Sequence, residues 1–335
     1  MRAIWYRADD IFAHDVPGHP ERPARIRALE AEMSAADWFG VPRVSASSVD
    51  RDVLELVHPA SYVASLSELS SAGGGAIDGD TYAVPGTFDA ALVACGGAVA
   101  LVDALLSGEA SVGVSALRPP GHHALAARAM GFCFFGNVAV AARRATSAHG
   151  LQRVLIVDWD VHHGNGTNDI FHSSADVLFV SIHESPLYPG TGPASDVGSG
   201  AGEGYTVNLP VPGGSGDLLY RSLVEHVACG VIRAWEPQLV LISAGFDAHR
   251  DDPLATCRVT EAGYAAMTAS LRRACDGIGA PLGLVLEGGY DLGALSRSMA
   301  ALMPVLVGPT PAEVAVDVHP LAADAVERLR GYDLI

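Results

Sequence analysis

The sequence predicts an α/β fold with one mainly parallel sheet covered by helices on both faces. Three observations predict it. Short runs rich in Val, Ile and Leu recur along the chain, helix-like stretches separate most of them, and most runs lead directly into histidine, aspartate or glutamate. Strands buried on both faces read as continuous apolar runs, and their alternation with helical segments marks a parallel sheet.

Taken in order, the strand-like runs are residues 111–117 (S-V-G-V-S-A-L), 154–158, 177–182, 239–243 and 282–286, with T-V-N-L-P-V (206–211) also strand-like. Helical stretches fall at 137–148, 218–234 and 260–274, the last opening on Thr260, Glu261 and Gly263 in the manner of a capped helix start. The most apolar window, residues 90–106, is short for a membrane span, carries Asp103 and is rich in small residues, so a closely packed buried helix is expected. Apolar residues at helical spacing in 319–329 favour a tail helix that packs on the domain over one that pairs two copies. The glycine-rich pieces 71–80 and 195–204 read as loops. The second precedes a strand-like run instead of joining strand to helix, so it is no dinucleotide fingerprint. With no repeat and no long linker, a single domain over 1–335 is expected.

Composition narrows the function. Apolar residues make up 49% and charged residues 18% of the 335, the profile of a globular enzyme. A formal net charge of −17 without a basic patch argues against direct nucleic-acid binding and favours a cationic substrate. Five cysteines without a C-x-x-C pair, and an N-terminus (M-R-A-I-W-Y-R-A-D-D) without an apolar signal stretch, lead us to expect a reducing cytoplasm and no membrane partner.

In open parallel sheets the ligand site lies at the carboxyl ends of the strands. There the sequence places His122 and His123, then D-W-D-V-H-H-G-N-G (158–166), His183 and Glu184, Asp247 and His249, and E-G-G-Y (287–290). If 158–162 continues extended, Asp158, Asp160 and His162 share a face while Trp159 and Val161 point into packing. Carboxylate and imidazole on one face suit a borderline divalent ion: zinc, with iron or cobalt as alternatives. Asp247 is the natural third ligand, which leaves a position open for water. The pair His122–His123 is better suited to proton transfer than to ligation of the same ion, with Asp158 and Asn165 available as partners for the far ring nitrogens. Tyr290, behind two glycines, offers a phenol to an oxyanion.

Together R-P-P-G-H-H-A (118–124), G-F-C-F-F-G-N (131–137), V-D-W-D-V-H-H-G-N-G-T (157–167), S-I-H-E-S-P-L-Y-P-G-T-G (181–192), S-A-G-F-D-A-H (243–249) and L-E-G-G-Y (286–290) resemble the histone deacetylase superfamily of zinc amidohydrolases. The resemblance runs in family order from H-P-E-R-P (19–23) to Tyr290. It implies an arginase-like fold with a central, mostly parallel eight-stranded sheet, and hydrolysis of an acyl amide. Asp160, His162 and Asp247 match the zinc ligands. His123, backed by Asn165, matches the general base and acid; His122, held by Asp158, matches its electrostatic partner; Tyr290 matches the group that polarises the carbonyl. Gly131, Phe132 and Tyr188 match the substrate tunnel, and Asp80 the carboxylate at its rim. Structural potassium is implied at two sites, one at Asp158, Asp160, His162, Ser181 and Ile182, the other at Phe171, Ser174, Val177 and Tyr205.

Asn165, where class I members carry Asp, and L-E-G-G-Y in place of G-G-G-G-Y resemble the class II-like bacterial branch. Leu254 stands where polyamine-specific relatives carry a gatekeeper Glu, which favours acyl-lysine in proteins or peptides. Acetylpolyamines and other small cationic acyl amides stay open as alternatives, as does a non-catalytic acyl-lysine binding protein. A binuclear manganese ureohydrolase on the same fold would need a second D-x-D near the end of the sheet, where G-F-D-A-H offers only Asp247.

Overall fold

The computed structural model describes residues 2–335. Among the described residues ten strands form: β1 Ala3–Arg7, β2 Arg43–Ser45, β3 Gly75–Ala76, β4 Tyr82–Ala83, β5 Val112–Ser115, β6 Val154–Asp158, β7 Val177–Glu184, β8 Thr206–Val211, β9 Leu239–Ala244 and β10 Leu282–Leu286. Eight of them make one sheet in the order β2-β1-β5-β10-β9-β6-β7-β8, with every neighbouring pair parallel. The eight-stranded α/β architecture expected from the sequence is therefore present, while β3 and β4 form a separate antiparallel ribbon. β6, β9 and β10 are wholly buried and almost entirely Val, Leu and Ile, as strands covered on both faces must be. β10 and β9 insert between the sequential strands β5 and β6. The four central strand ends therefore bring residues from four distant parts of the chain to one place.

The helix Thr87–Leu106 contains the apolar window. It is long and apolar enough to cross a membrane, yet 72% of its most apolar 18-residue stretch is buried inside the protein. Gly96 and Gly97 explain the packing: a Cβ on the first would overlap the Ser47 carbonyl, and one on the second the Leu117 side chain. The helix Glu261–Ile278 starts as expected, with Thr260 Oγ1 accepting from Gly263 N–H at 3.2 Å. The stretch 218–234 is not one regular helix: a π-helical turn, Val224–Ala228, separates Asp217–Leu223 from Cys229–Trp235. The tail helix Pro320–Arg330 packs on the domain through Ala322, Ala325 and Leu329.

One buried ionic cluster ties the N-terminal segment to the end of β10. Glu21 receives both Arg25 and Arg118, and all three side chains are fully buried. Arg118 also donates to the carbonyls of Ile11 and His14, and Arg25 to those of Glu287 and Gly289. Burial alone would raise the pKa of Glu21; the two guanidiniums overcome it and bring the group down to about 2. Because its folded pKa lies below the unfolded one, the stabilisation is complete above the ordinary value of 4.5 and disappears as pH falls toward about 2. Glu21→Gln, which strands two buried guanidiniums, is expected to cost about 3–5 kcal/mol in urea unfolding near neutral pH. The difference from wild type should shrink between pH 4.5 and 2; a constant difference would place the cost in packing instead of charge.

Candidate active site

β6 ends at Asp158, and the chain beyond it is not an extended strand. Asp158 Oδ1 accepts the Asp160 N–H at 3.0 Å and Asp160 Oδ1 accepts the His162 N–H at 2.9 Å, so two successive carboxylate-closed turns replace the expected alternation. Trp159 and Val161 are nevertheless buried in the core, as the alternation required. Asp158 parts company with the other two: its Oδ2 lies 3.0 Å from His122 Nδ1.

Asp160, His162 and Asp247 do converge, with ligand atoms all within 4.8 Å of one another. His162 Nδ1 is 3.2 Å from both Asp160 Oδ1 and Asp247 Oδ2. The outer oxygens are held by backbone, Asp160 Oδ2 by Gly288 N–H at 2.8 Å and Asp247 Oδ1 by Val161 N–H at 2.9 Å. Glycine is required around them, because a Cβ at Gly245 or Gly288 would overlap these carboxylates. Burial alone would lower the pKa of His162, but the two carboxylates drive it up to about 10. The triad thus calls for positive charge between its members, and its donor set of two carboxylates and one imidazole fits a divalent transition metal.

The rings of His122 and His123 lie tilted at 44° to each other with centroids 4.0 Å apart but sit in opposite environments. His122 is buried, which disfavours its charge, yet Asp160, Asp158 and Glu287 hold its pKa well above the usual value. His123 is pushed well below that value by burial and by the charges of His122 and His162. Its Nδ1 lies 2.8 Å from Asn165 Oδ1, an oxygen that only accepts, which puts the proton on Nδ1 and the lone pair on Nε2.

A cavity of about 210 Å³ ends on His123, His162 and Tyr290. Phe132, Leu187, Tyr188 and Leu254 form its walls, and Asp80 also lines it. Gly131 and Phe132 both have positive φ, +55° and +68°, and a Cβ on Gly131 would strike the His123 ring. The Tyr290 ring is held by Arg25, whose Cζ is 4.9 Å from its centroid, and edge-on by Phe132 at 5.6 Å. Burial raises the Tyr290 pKa well above its ordinary value, which keeps the phenol a donor. A larger groove of about 710 Å³ beside Arg233 and Val326 lies away from these strand ends and gathers no comparable acid–base set.

Of the residues matched to potassium, Asp158 and Ser181 are paired in register on β6 and β7, beside Ile182. In the second set the carbonyl of Phe171 accepts from Ser174 N–H at 2.9 Å, next to Val177 at the start of β7, and that of Tyr205 accepts from Phe179 N–H at 2.9 Å.

Two supporting carboxylates had no assigned role in the sequence. Glu287 accepts from Gly121 N–H (2.7 Å), His122 N–H (3.1 Å) and Ser243 Oγ (3.2 Å), and so fixes the backbone that carries the histidine pair. Glu287, His122 and Cys133 lie close enough to suggest a second metal site. That reading fails on chemistry: both Glu287 oxygens already accept hydrogen bonds, and burial holds the Cys133 thiol protonated. Asp252 accepts from Tyr290 N–H at 2.6 Å and Leu254 N–H at 3.0 Å, coupling a wall of the cavity to its floor. Its place within D-D-P-L was visible, but its partners are 2 and 38 residues away.

An all-parallel sheet that gathers carboxylates, imidazoles and a phenol around one narrow cavity at its strand ends can supply the metal ligands, the acid–base pair and the oxyanion donor that an amide hydrolase needs. The family model described as Histone deacetylase domain matches residues 19–306, and the chain belongs to the histone deacetylase family. Among its relatives are Histone deacetylase 14, chloroplastic, of Arabidopsis thaliana (40% identical, covering 90% of this chain and 76% of that protein) and the Histone deacetylase-like amidohydrolase of Pseudomonas aeruginosa (40% identical, 82% and 73%). The crystal structure of the HDA15 HD domain superposes with a TM-score of 0.91 at 39% identity, covering 99% of this chain and 94% of that one. The chain is therefore a hydrolase of the deacetylase type that binds acetylated substrates.

A divalent transition metal titrated into chelator-treated protein is expected to bind one ion per chain and to raise Tm. His162→Ala should remove both effects; a Tm rise that survives it would place the ion elsewhere.

Proposed function

We propose that the protein is a zinc-dependent amidohydrolase that removes acetyl groups from lysine side chains of proteins or peptides. One observation carries this reading: two adjacent histidines with opposite charge preference lie beside the Asp160–His162–Asp247 triad, at the closed end of a cavity with apolar walls. Asp160, His162 and Asp247 would hold the zinc ion, which supplies Lewis acidity and lowers the pKa of water. Iron(II) or cobalt(II) fits the same donors.

The chain's own groups then divide the work. The apolar walls take the aliphatic part of the lysine side chain and exclude water. Tyr290 donates its O–H to the carbonyl oxygen as that oxygen gains charge. Neutral His123 takes a proton on Nε2 from the attacking water and returns it to the leaving amine, its Nδ1–H held on Asn165 throughout. His122, kept cationic by Asp158 and its neighbours, adds positive charge where the oxyanion develops. On the same reading a structural potassium ion would sit beside Asp158 and Ser181, which are paired in register on β6 and β7.

Leu254 on the cavity wall presents no counter-charge to a second ammonium, which supports acyl-lysine over acetylpolyamines. Asp80, which lines the cavity, supports the polyamine alternative, since it offers a carboxylate to a distal ammonium.

Comparison of kcat/KM on acetyl-lysine peptides with that on acetylated putrescine and spermidine tests the choice. Peptides are expected to be preferred, and Leu254→Glu should move the preference toward polyamines; the reverse order in the wild type would overturn the lysine reading. Tyr290→Phe should retain the metal and lower kcat by about 10²–10³-fold, the cost of one oxyanion donor. Near-normal turnover would show that the carbonyl is polarised by another group.

A further inference from the structure

We propose that Met130 is a positioning residue for His123, acting through the amide of Asn165; this rests on the reading of His123 as the base. An asparagine amide has two orientations of nearly equal shape. In the one present, Oδ1 accepts from His123 Nδ1–H at 2.8 Å and the lone pair is left on Nε2. Turned over, the amide would point N–H at Nδ1. The ring proton would then have to move to Nε2, and a ring protonated there cannot take a proton from water.

The choice between the two orientations is made at the far end of the amide. Asn165 Nδ2 lies 3.4 Å from Met130 Sδ and 3.5 Å from the His123 carbonyl oxygen. Thioether sulfur and carbonyl oxygen both accept and neither donates. An N–H is favourable there, whereas an oxygen would face two atoms with lone pairs. The carbonyl contact is at the outer limit for a hydrogen bond, while 3.4 Å is a close approach for the larger sulfur atom, so the sulfur carries the selection. Water would not replace it, because at this half-buried position water donates and accepts equally.

The backbone explains how a flexible side chain is held in place. Met130 and Cys133 exchange N–H···O bonds at 3.1 and 3.0 Å, closing the turn whose tip is Gly131 and Phe132. That turn sends Phe132 into the cavity wall and keeps Met130 against Asn165. The same four residues thus shape the substrate channel and set the tautomer of the base.

The test is a double-mutant cycle on the zinc-loaded protein. Met130→Leu preserves the volume and removes the acceptor. It is expected to lower kcat about three- to tenfold, the worth of one modest hydrogen bond, with KM for an acetyl-lysine peptide changed by less than about twofold. In the Asn165→Asp background both side-chain oxygens accept, no orientation needs choosing, and the same substitution should cost less than about twofold. Equal losses in the two backgrounds would reduce Met130 to packing and overturn the proposal. A second readout is independent of turnover: ¹⁵N spectra of the histidine rings, with His123 assigned by its loss in His123→Gln, should move from the Nδ1–H toward the Nε2–H tautomer in Met130→Leu. An unchanged tautomer overturns the proposal whatever the activity does. Full activity in His123→Gln would instead remove His123 as the base, leaving the tautomer shift to decide the role of Met130 by itself.

Discussion

Two buried carboxylates that face each other set the terms for the rest of this molecule. Asp160 and Asp247 are buried, and their inner oxygens approach the same imidazole nitrogen at 3.2 Å. Such a pair is tolerated only where donors and positive charge surround it. The surroundings comply at each level of structure. Strands β6 and β9 are adjacent, so the two carboxylates arise from neighbouring strand ends. Gly245 and Gly288 leave the space the oxygens occupy, and the backbone N–H groups of Val161 and Gly288 meet the outer oxygens.

A second layer of charge lies behind the first and obeys the same rule. Glu287 anchors the backbone of the histidine pair, and burial, offset in part by His122, raises its pKa to about 7. The carbonyls of Glu287 and Gly289 are in turn held by Arg25, which shares the carboxylate of Glu21 with Arg118. The H-P-E-R-P and R-P-P-G-H-H-A segments therefore act through one network, although 97 residues separate Glu21 from Arg118. Arg25 also lies over the Tyr290 ring, so the network that closes the N-terminal segment orients the phenol at the cavity floor.

Much of this was legible from residues alone, and the departures have physical causes. β6 and β10 coincide with the apolar runs because burial on both faces makes their interiors continuously apolar, with Asp158 closing β6 and Glu287 following β10. β1 and β2 gave no comparable signal: β1 is A-I-W-Y-R and β2 only R-V-S, short strands toward one edge of the sheet with few β-branched residues. The π turn in 217–235 was invisible because the apolar spacing runs through it. The Asp160–His162–Asp247 cluster followed from residue type and strand-end position. The split between Asp158 and Asp160 did not, since an alternating pattern cannot tell an extended segment from two carboxylate-closed turns. Glu287, Asp252 and Met130 were beyond composition and spacing, because each acts through partners that only the folded chain brings near.

The tandem histidines show how one residue type serves two purposes without a change of sequence chemistry. Both rings are buried, and both use Nδ1 to contact a side-chain oxygen. The oxygens differ: a carboxylate for His122, an amide for His123. A carboxylate carries charge that stabilises an imidazolium, so His122 is held cationic. An amide orients the ring but offers no such charge, and His123, beside a cationic neighbour, stays neutral. The cation also protects the neutral ring, because a second proton on the pair would place two charges at a ring separation of 4.0 Å. Asp158 and Asn165, one at the end of β6 and one at the start of the following helix, thereby set opposite protonation states on adjacent residues, which is the separation that proton transfer at neutral pH requires.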